Sequence, residues 1–345
     1  MRGLMKLFAA GAAISAAALG VAAPVLACAG LIGSNGAVNI GRTTTLAAYH
    51  DGVEHYVTAF KFQGAGGQFG TLIPLPDVPS NVERGGAWTL QRLVKETEPP
   101  RVFSAVGLES ARAASAPAEV LLQTRVDALD LTVLKGGAPS VSTWATDHGF
   151  RLSPDAPEVL EFYAERSPIF LAAIFDGDAA LARGQQLGDG TPVHITIPTS
   201  NPWVPLRILG LGRQPADQIQ ADVFLLTDQL PTMLPQASKE LALSHSAQAN
   251  KRLLDDLRAD EGMSWVPESG WLSKVSVDNT TANLRYDLAI DASGLGMPSR
   301  VAAGLEPPSH APLDSLAPPA AMGAGAMVLL AAPMLARRRE RKSES

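Results

Sequence analysis

The chain has 345 residues, with 34 acidic and 28 basic side chains and a formal net charge of −6 at pH 7. Proteins that bind nucleic acid rely on clustered Lys and Arg that contact phosphate, and such a cluster occurs here only in the last nine residues. A single cysteine, Cys28, excludes an internal disulfide and a metal cage built from thiolates.

Residues 1–27 have the features of a secretory signal peptide. Two early cations precede an apolar run that ends at Ala23, and small residues follow. Cys28 comes next, and residues 25–28 resemble a bacterial lipobox, whose cysteine carries lipid. Leu26 stands where a small or β-branched residue is usual, so a lipidated and a free Cys28 both stay open.

Three β-strands are predicted after Cys28. Residues 43–50 and 53–62 flank Asp51-Gly52, a pair typical of the tight turn of a β-hairpin. Phe69–Leu75 predicts a third strand, and the prolines at its end favour a sheet edge or an exit from the sheet. The glycines of residues 64–70 lead into this strand and match neither the dinucleotide nor the P-loop spacing, so they predict a turn.

Short helices and strands alternate along the rest of the domain. The predicted helices are residues 87–94, 141–148, 157–166 and one long helix over residues 239–258. The predicted strands are residues 126–135, 170–175, 193–197, 204–209, 222–228, 271–277 and 284–290. This mixture predicts an α+β fold, a sheet-rich ectodomain with mixed or antiparallel strands and a few packed helices, the longest on one sheet face.

The C-terminal region predicts a membrane anchor. Residues 306–316 form a proline-rich stalk, and residues 317–336 are mostly apolar and long enough, at about 30 Å, to cross a bilayer as a transmembrane helix. The basic tail at residues 337–345 is typical of a cytoplasmic end. Residues 28–305 are therefore expected to form an extracytoplasmic domain. The order of stalk, span and basic tail also resembles a sorting signal, so later cleavage stays open.

Few residues are candidates for chemistry. His50 and His55 would be diagonal neighbours on one face of the hairpin. A catalytic zinc site usually takes three protein ligands, so the pattern favours a solvated hairpin tip over a metal site. Asp176-Gly177-Asp178 begins like a calcium loop but lacks its later ligands, which predicts a turn. Ser244-His245-Ser246 lies in the predicted long helix without a glycine elbow, so it gives little support to a hydrolase triad.

The remaining candidates are interpreted as structural. Two histidines, His148 and His194, are isolated in the sequence, which favours a structural role. Two tryptophans, Trp203 and Trp265, each precede a Val-Pro pair, and their side chains are expected to have a packing role. We therefore predict no catalytic, cofactor-binding or metal-binding residues and no cofactor. Cys28 is the one candidate for modification.

Four stretches resemble a known bacterial family. They are residues 69–79 with a strand ending in Pro-x-Pro-x-x-Pro, residues 144–150 with Tyr163, residues 202–208 with a Pro-Leu-Arg strand, and residues 271–275 with Tyr286-Asp287. In this order they resemble domain of unknown function 2330, a family of exported bacterial proteins, many with a C-terminal membrane segment. That family often has a second cysteine near the position of Gly33, and it brings no catalytic residues.

These patterns favour an exported, membrane-anchored envelope domain with a non-enzymatic binding or structural role. Its expected partner is an envelope protein or a surface polymer, and not a nucleic acid. The alternative is an envelope hydrolase, either metal-dependent through His50 and His55 or serine-based. A deep pocket lined by converging histidines and carboxylates would favour the alternative.

Overall fold

Two β-sheets packed face to face carry helices on their outer faces. A computed structural model describes residues 30–33, 36–37, 42–60, 69–97, 118–176 and 191–309. The expected signal peptide, Cys28 and the expected membrane span at residues 317–336 lie outside these ranges. Within them, no helix combines the length and the apolar character needed to cross a membrane.

The described elements are short, and their bounds in chain order are as follows. The strands are β1 Gly30–Gly33, β2 Gly36–Ala37, β3 Thr43–His50, β4 Val53–Phe60, β5 Phe69–Leu75, β6 Asn81–Arg84, β7 Glu119–Val126, β8 Leu129–Lys135, β9 Ile169–Phe175, β10 Thr191–Pro198, β11 Trp203–Val204, β12 Gln218–Thr227, β13 Thr232–Leu234, β14 Leu241–Gln248, β15 Trp271–Thr280 and β16 Leu288–Asp291. The helices are α1 Thr89–Thr97, α2 Ala138–Asp147, α3 Ala156–Ala164 and α4 Lys251–Ala259, with a 3-10 turn at Arg207–Gly210.

The strands form three sheets. Sheet A has the order β2-β1-β5-β9-β8-β7 and is antiparallel throughout. Sheet B has the order β14-β15-β12-β3-β4-β10-β6 and is antiparallel except for the β3–β12 pair, which is parallel. Sheet C is the small antiparallel set β11-β16-β13. This arrangement confirms the predicted α+β class with mixed and antiparallel sheets.

Sheets A and B share one apolar core between their inner faces. Because side chains alternate along a strand, Leu225 enters this core while its neighbour Phe224 points to the other side of sheet B. On that outer side, α1 and α4 pack through Leu93 and Leu254. Helices α2 and α3 pack on the outer face of sheet A, α3 through Leu160. The layers are therefore helix, sheet, sheet, helix.

The predicted hairpin of β3 and β4 is confirmed. Asp51 and Gly52 form its turn with φ of 49° and 79°, the left-handed conformation that a tight primed turn requires. Of the two alternatives predicted from the prolines of β5, the edge position is wrong, since β5 lies between β1 and β9, whereas an exit from the sheet agrees with the end of the strand at Leu75. The described pairing of β5 with β1 ends at Leu72. At Pro74 the strand is therefore paired on one side only, with β9.

The long helix predicted over residues 239–258 is wrong in its first half. Leu241–Gln248 is instead strand β14, which pairs along its length with β15 at one edge of sheet B. Asn250 then caps helix α4, its side chain accepting a hydrogen bond from the backbone N–H of Leu253 at 2.8 Å. Alanine and leucine in β14 favoured the helix, and pairing with β15 overrides that preference.

Two predicted strands are also corrected. Residues 126–135 contain the end of β7, a turn at Asp127 with φ of 53°, and then β8. Residues 204–209 contain the end of the two-residue strand β11 followed by the 3-10 turn. The turn at Asp127 contains neither Pro nor Gly, so the composition did not mark it, whereas Pro205 stands directly after β11 and does mark the end of that strand.

Candidate functional site

A buried polar network joins α3, β16 and the turn after β11. Its centre is Asp287, which is fully buried. The hydroxyl of Tyr163 donates to Asp287 Oδ1 at 2.8 Å, and Arg166 Nη2 donates to Oδ2 at 2.5 Å. The backbone N–H groups of Leu206 and Arg207 donate to Oδ1 at 2.7 and 3.0 Å. One carboxylate thereby receives four hydrogen bonds, which offsets the cost of burying its charge.

Tyr163 extends this network to the 3-10 turn. Its hydroxyl accepts a hydrogen bond from the backbone N–H of Ile208 at 2.8 Å, and its ring stacks on Trp203 with centroids 5.7 Å apart. Burial, reinforced by the Asp287 carboxylate, raises the pKa of Tyr163 well above its ordinary value, so the phenol stays protonated. Three of the four sequence stretches that resemble the family thus meet at one structural network.

A cleft of about 260 Å³ opens beside this network. The ring of Phe162 lies in it with two guanidinium carbons nearby, Arg166 Cζ at 3.9 Å and Arg207 Cζ at 4.2 Å from the ring centroid. Arg285 also lines the cleft and is exposed, with 58 % of its side chain open to solvent. Glu158 pairs with both Arg207 and Arg285, so one carboxylate serves two guanidinium groups.

A second cluster brings two histidines together on the outer face of sheet B. His55 Nδ1 lies 2.9 Å from His194 Nε2, and His194 Nδ1 lies 3.2 Å from Glu83 Oε1. Because a carboxylate only accepts, His194 donates to Glu83 and its Nε2 accepts from His55. The indole of Trp265 stacks on His55, with centroids 4.1 Å apart and an interplanar angle of 4°.

Burial keeps both imidazoles neutral. Burial, with smaller contributions from the neighbouring His194 and from His50, lowers the pKa of His55 to about 4. Burial also lowers the pKa of His194, although Glu83 acts in the opposite direction. A base with such a low pKa takes up a proton poorly at neutral pH. Among the described residues, no group of three His, Cys, Asp or Glu side chains is arranged to hold a metal ion.

These contacts correct one interpretation of the histidines, because His55 is half-buried rather than part of a solvated hairpin tip. His194 has no histidine near it in the sequence, and its burial and hydrogen bonds fit the structural role predicted for it. His50 does lie at the exposed tip, where its Nδ1 lies 2.6 Å from Asp228 Oδ1. The hairpin places His50 and His55 on one face as predicted, but each has a different partner. The pairing of His55 with His194 depends on β4 lying beside β10, which local sequence does not reveal.

The interpretation of His148 as a structural residue fits its contacts. Its Nδ1 lies 2.7 Å from the carbonyl oxygen of Trp144, and its ring stacks on the same indole. Ser244 lies on strand β14, not on a helix, and its hydroxyl lies 2.9 Å from Ser276 Oγ. Asp176 accepts a hydrogen bond from Arg125 at 3.0 Å, while residues 177–178 of the predicted turn lie outside the described ranges.

Sequence reasoning missed Glu54, the most unusual carboxyl among the described residues. It lies on β4 between Tyr49 and Ile197, and it is fully buried. The backbone of Trp203 approaches it, yet neither carboxyl oxygen makes a hydrogen bond of normal geometry. Burial raises the pKa of Glu54 to about 8, so the group is protonated at neutral pH. A single Glu in a polar-apolar alternation gives no signal of such burial.

The fold defines a sheet-rich α+β protein in which two sheets lie between helical layers. The chain belongs to the family DUF2330, described as "Uncharacterized protein conserved in bacteria", whose model matches residues 22–230. This match confirms the resemblance to the family and covers three of the four stretches, while residues 271–275 with Tyr286-Asp287 lie beyond the matched range.

Comparisons with other proteins give more distant likenesses. No curated protein matches the sequence. Among solved structures, a mutated baculovirus P35 after caspase cleavage matches with 7 % identity and a TM-score of 0.38, over 74 % of this chain and 98 % of that chain. P35 in the caspase-8/P35 complex matches with 10 % identity and a TM-score of 0.35, over 73 % of this chain and 91 % of that chain.

Proposed function

We propose that the chain is an exported, membrane-anchored domain of the bacterial envelope with a non-enzymatic binding role. Export and anchoring rest on the signal-like residues 1–27 and the apolar residues 317–336. The binding role rests on one observation, the cleft beside Phe162. There Arg207 and Arg285 pair with one carboxylate, that of Glu158. The cleft is lined by three arginines, which include Arg166, and by the carboxylates of Glu165 and Glu306.

The cleft favours a ligand that carries carboxylate or phosphate groups. Guanidinium groups bind these anions through paired hydrogen bonds, and the Phe162 ring adds an apolar wall. Such groups occur on acidic surface polymers and on acidic segments of envelope proteins. The neighbouring network of Tyr163 and Asp287 serves to hold the cleft in shape, because its polar atoms bond within the domain.

The alternative role as a hydrolase lacks a comparable observation. A serine nucleophile must have a general base within hydrogen-bond reach. The Ser244 hydroxyl instead contacts Ser276 Oγ and the carbonyl oxygen of Lys274. For the metal-dependent version, His50 and His55 contact Asp228 and His194 rather than each other.

The binding role is tested with the tagged full chain in its own cells. Partners crosslinked in the envelope are compared between the wild type, Arg285→Glu in the cleft, and Arg252→Glu on the exposed face of α4. Both substitutions reverse one exposed charge, so the change in net charge is matched, and urea unfolding of both variants checks that each is folded. We expect the Arg285 variant alone to lose the partner. Equal capture by both variants would contradict the cleft as the binding site.

The membrane topology is tested separately with reporter fusions. Alkaline phosphatase fused after Pro312 should be active, because the enzyme requires an extracytoplasmic location. The same reporter fused after residue 345 should be inactive if residues 317–336 cross the membrane. Activity at the second position would refute the anchored topology.

A further inference from the structure

The cleft beside Phe162 carries charges of both signs. Three of its lining side chains already have a partner of opposite charge within the domain: Arg166 pairs with Asp287, Arg207 with Glu158 and Glu306 with Arg300. Two other lining side chains, Arg285 and Glu165, are exposed to solvent. Each of these two keeps atoms that can bind a ligand.

The guanidinium group of Arg285 is held in place and keeps open donors. Its Nε donates to the carbonyl oxygen of Ala282 at 3.0 Å, and its Nη1 donates to Glu158 Oε1 at 3.2 Å. Among the described residues, Arg285 Nη2 makes no hydrogen bond. Because a guanidinium group has five N–H donors and no acceptor, this open nitrogen can bind an anionic oxygen of a ligand.

Glu165 supplies an open charge of the opposite sign. Its carboxylate has neither an ion pair nor a hydrogen bond within the part of the chain that the structure describes. Glu165 continues α3 with helical backbone angles, seven positions after Glu158 and three after Phe162. Residues at this spacing share one helix face, so the two glutamates lie about 10 Å apart along the axis with Phe162 between them. Arg285 pairs with Glu158, so the open cation lies towards one end of this face and the open anion at the other.

We propose that the cleft binds a zwitterion, an amine-bearing phosphate whose phosphate meets Arg285 and whose ammonium meets Glu165. This inference rests on the binding role proposed above and adds a cationic group to the ligand. A ligand with negative charge alone would satisfy Arg285 but would lie beside the uncompensated carboxylate of Glu165, and such like-charge contacts are costly. An ammonium group removes this repulsion and donates hydrogen bonds to the carboxylate.

The place of the cleft along the chain favours phosphate over carboxylate as the anionic group. Gly304, Leu305, Glu306, Pro307 and Pro308 form one wall of the cleft and lead towards the proposed span. From residue 308 to residue 317 the chain has nine steps, which reach about 30 Å at most when extended. With the anchoring proposed above, the cleft stays within this reach of membrane lipids, and phosphate and ammonium occur together in phosphoethanolamine headgroups.

The test compares two soluble probes by ligand-observed NMR titration of the full chain in nonionic detergent. Glycerophosphoethanolamine carries the phosphodiester and the ammonium, and glycerophosphoglycerol carries the phosphodiester alone. We expect the first to bind at least threefold tighter, the range of an exposed ion pair. Glu165→Gln should remove this difference without weakening glycerophosphoglycerol, and Arg285→Gln should weaken both probes. Glu268→Gln, which neutralises an exposed carboxylate outside the cleft, should keep the difference.

The outcomes separate this inference from the binding role itself. Equal affinities for the two probes, both lost in Arg285→Gln, would refute the zwitterion and leave an anion-binding cleft. Binding of neither probe would also refute the zwitterion, while the crosslinking experiment above decides the binding role independently.

A carboxylate zwitterion and the source of the phosphate are tested in the same way. Tighter binding of 6-aminohexanoate than of glycerophosphoethanolamine would assign a carboxylate zwitterion and refute the phosphate. In phosphatidylglycerol vesicles, added phosphatidylethanolamine should compete with glycerophosphoethanolamine if the ligand is a lipid headgroup. Binding of the probe without this competition confirms the zwitterion and assigns it to a free small molecule.

Discussion

Replacing Glu54 with Gln should stabilise the protein at neutral and alkaline pH. Glu54 is fully buried without a hydrogen bond to either oxygen, and its pKa is raised from 4.5 to about 8. Between these two values the folded protein holds a proton that the unfolded chain has released. Stability therefore falls as pH rises from 4.5 to 8 and levels off above 8.

The size of the effect follows from the two pKa values. Each pH unit between them corresponds to about 1.4 kcal/mol. Relative to its contribution below pH 4.5, Glu54 therefore lowers the free energy of unfolding by about 3 kcal/mol at pH 7 and by about 5 kcal/mol above pH 8. Gln has nearly the same shape and does not titrate. Its own cost of burial is the same at every pH, so the pH dependence isolates the contribution of the carboxyl.

Urea unfolding of the wild type and Glu54→Gln at pH 4.5, 6, 7 and 8.5 measures this difference. The variant should gain on the wild type by about 1.4 kcal/mol for each pH unit up to pH 8. Asp287→Asn is the matched control, because it neutralises a second fully buried carboxyl that receives four hydrogen bonds. That change should destabilise the protein. If the free energies of unfolding of the wild type and of Glu54→Gln change in parallel over the whole pH range, the reasoning is refuted.

Two further predictions concern a glycine and a histidine. Gly52 and Gly304 both have positive φ, but a Cβ at Gly52 meets nothing within 4 Å, whereas at Gly304 it would lie 2.2 Å from Phe162 Cζ. Gly304→Ala should therefore lower the free energy of unfolding by about 2 kcal/mol more than Gly52→Ala in urea unfolding, and equal losses would contradict the contact. In an NMR titration, Trp265→Leu should raise the pKa of His55 from about 4 towards 6.5, because the indole no longer shields the imidazole. An unchanged pKa would show that Trp265 is not what buries it.

Local patterns were sufficient where an element depends on neighbouring residues. The hairpin of β3 and β4 follows from β-prone runs around Asp51-Gly52, and both turn residues have the positive φ that this pair favours. Helix α3 follows from its apolar stripe, which includes Leu160 and Tyr163. Boundaries were less predictable. Strand β14 looked helical because its alanine and leucine residues favour helices, and only pairing with β15 makes it a strand.

The candidate sites depend on contacts between residues far apart in the chain. Tyr163 meets Asp287 across 124 positions, and His55 meets His194 across 139. No local pattern specifies such pairs, since they follow from strand order and from the packing of α3 beside sheet C. The resemblance to the family did mark Tyr163 and Asp287. It could not show that they share one hydrogen bond.

The position of these motif residues bears on how the protein works. Tyr163 and Asp287 bond inside the domain and leave no polar atom for a substrate, so their chemistry stabilises the fold. A ligand in the cleft would instead meet Arg207 and Arg285, on the outer side of the same network. Because Arg207 contributes its backbone N–H to Asp287 and its side chain to the cleft, the network fixes the position of this arginine. The Arg207 side chain is only 11 % exposed and is held between Glu158 and the Phe162 ring, so its position is fixed before any ligand arrives, as the proposed binding role requires.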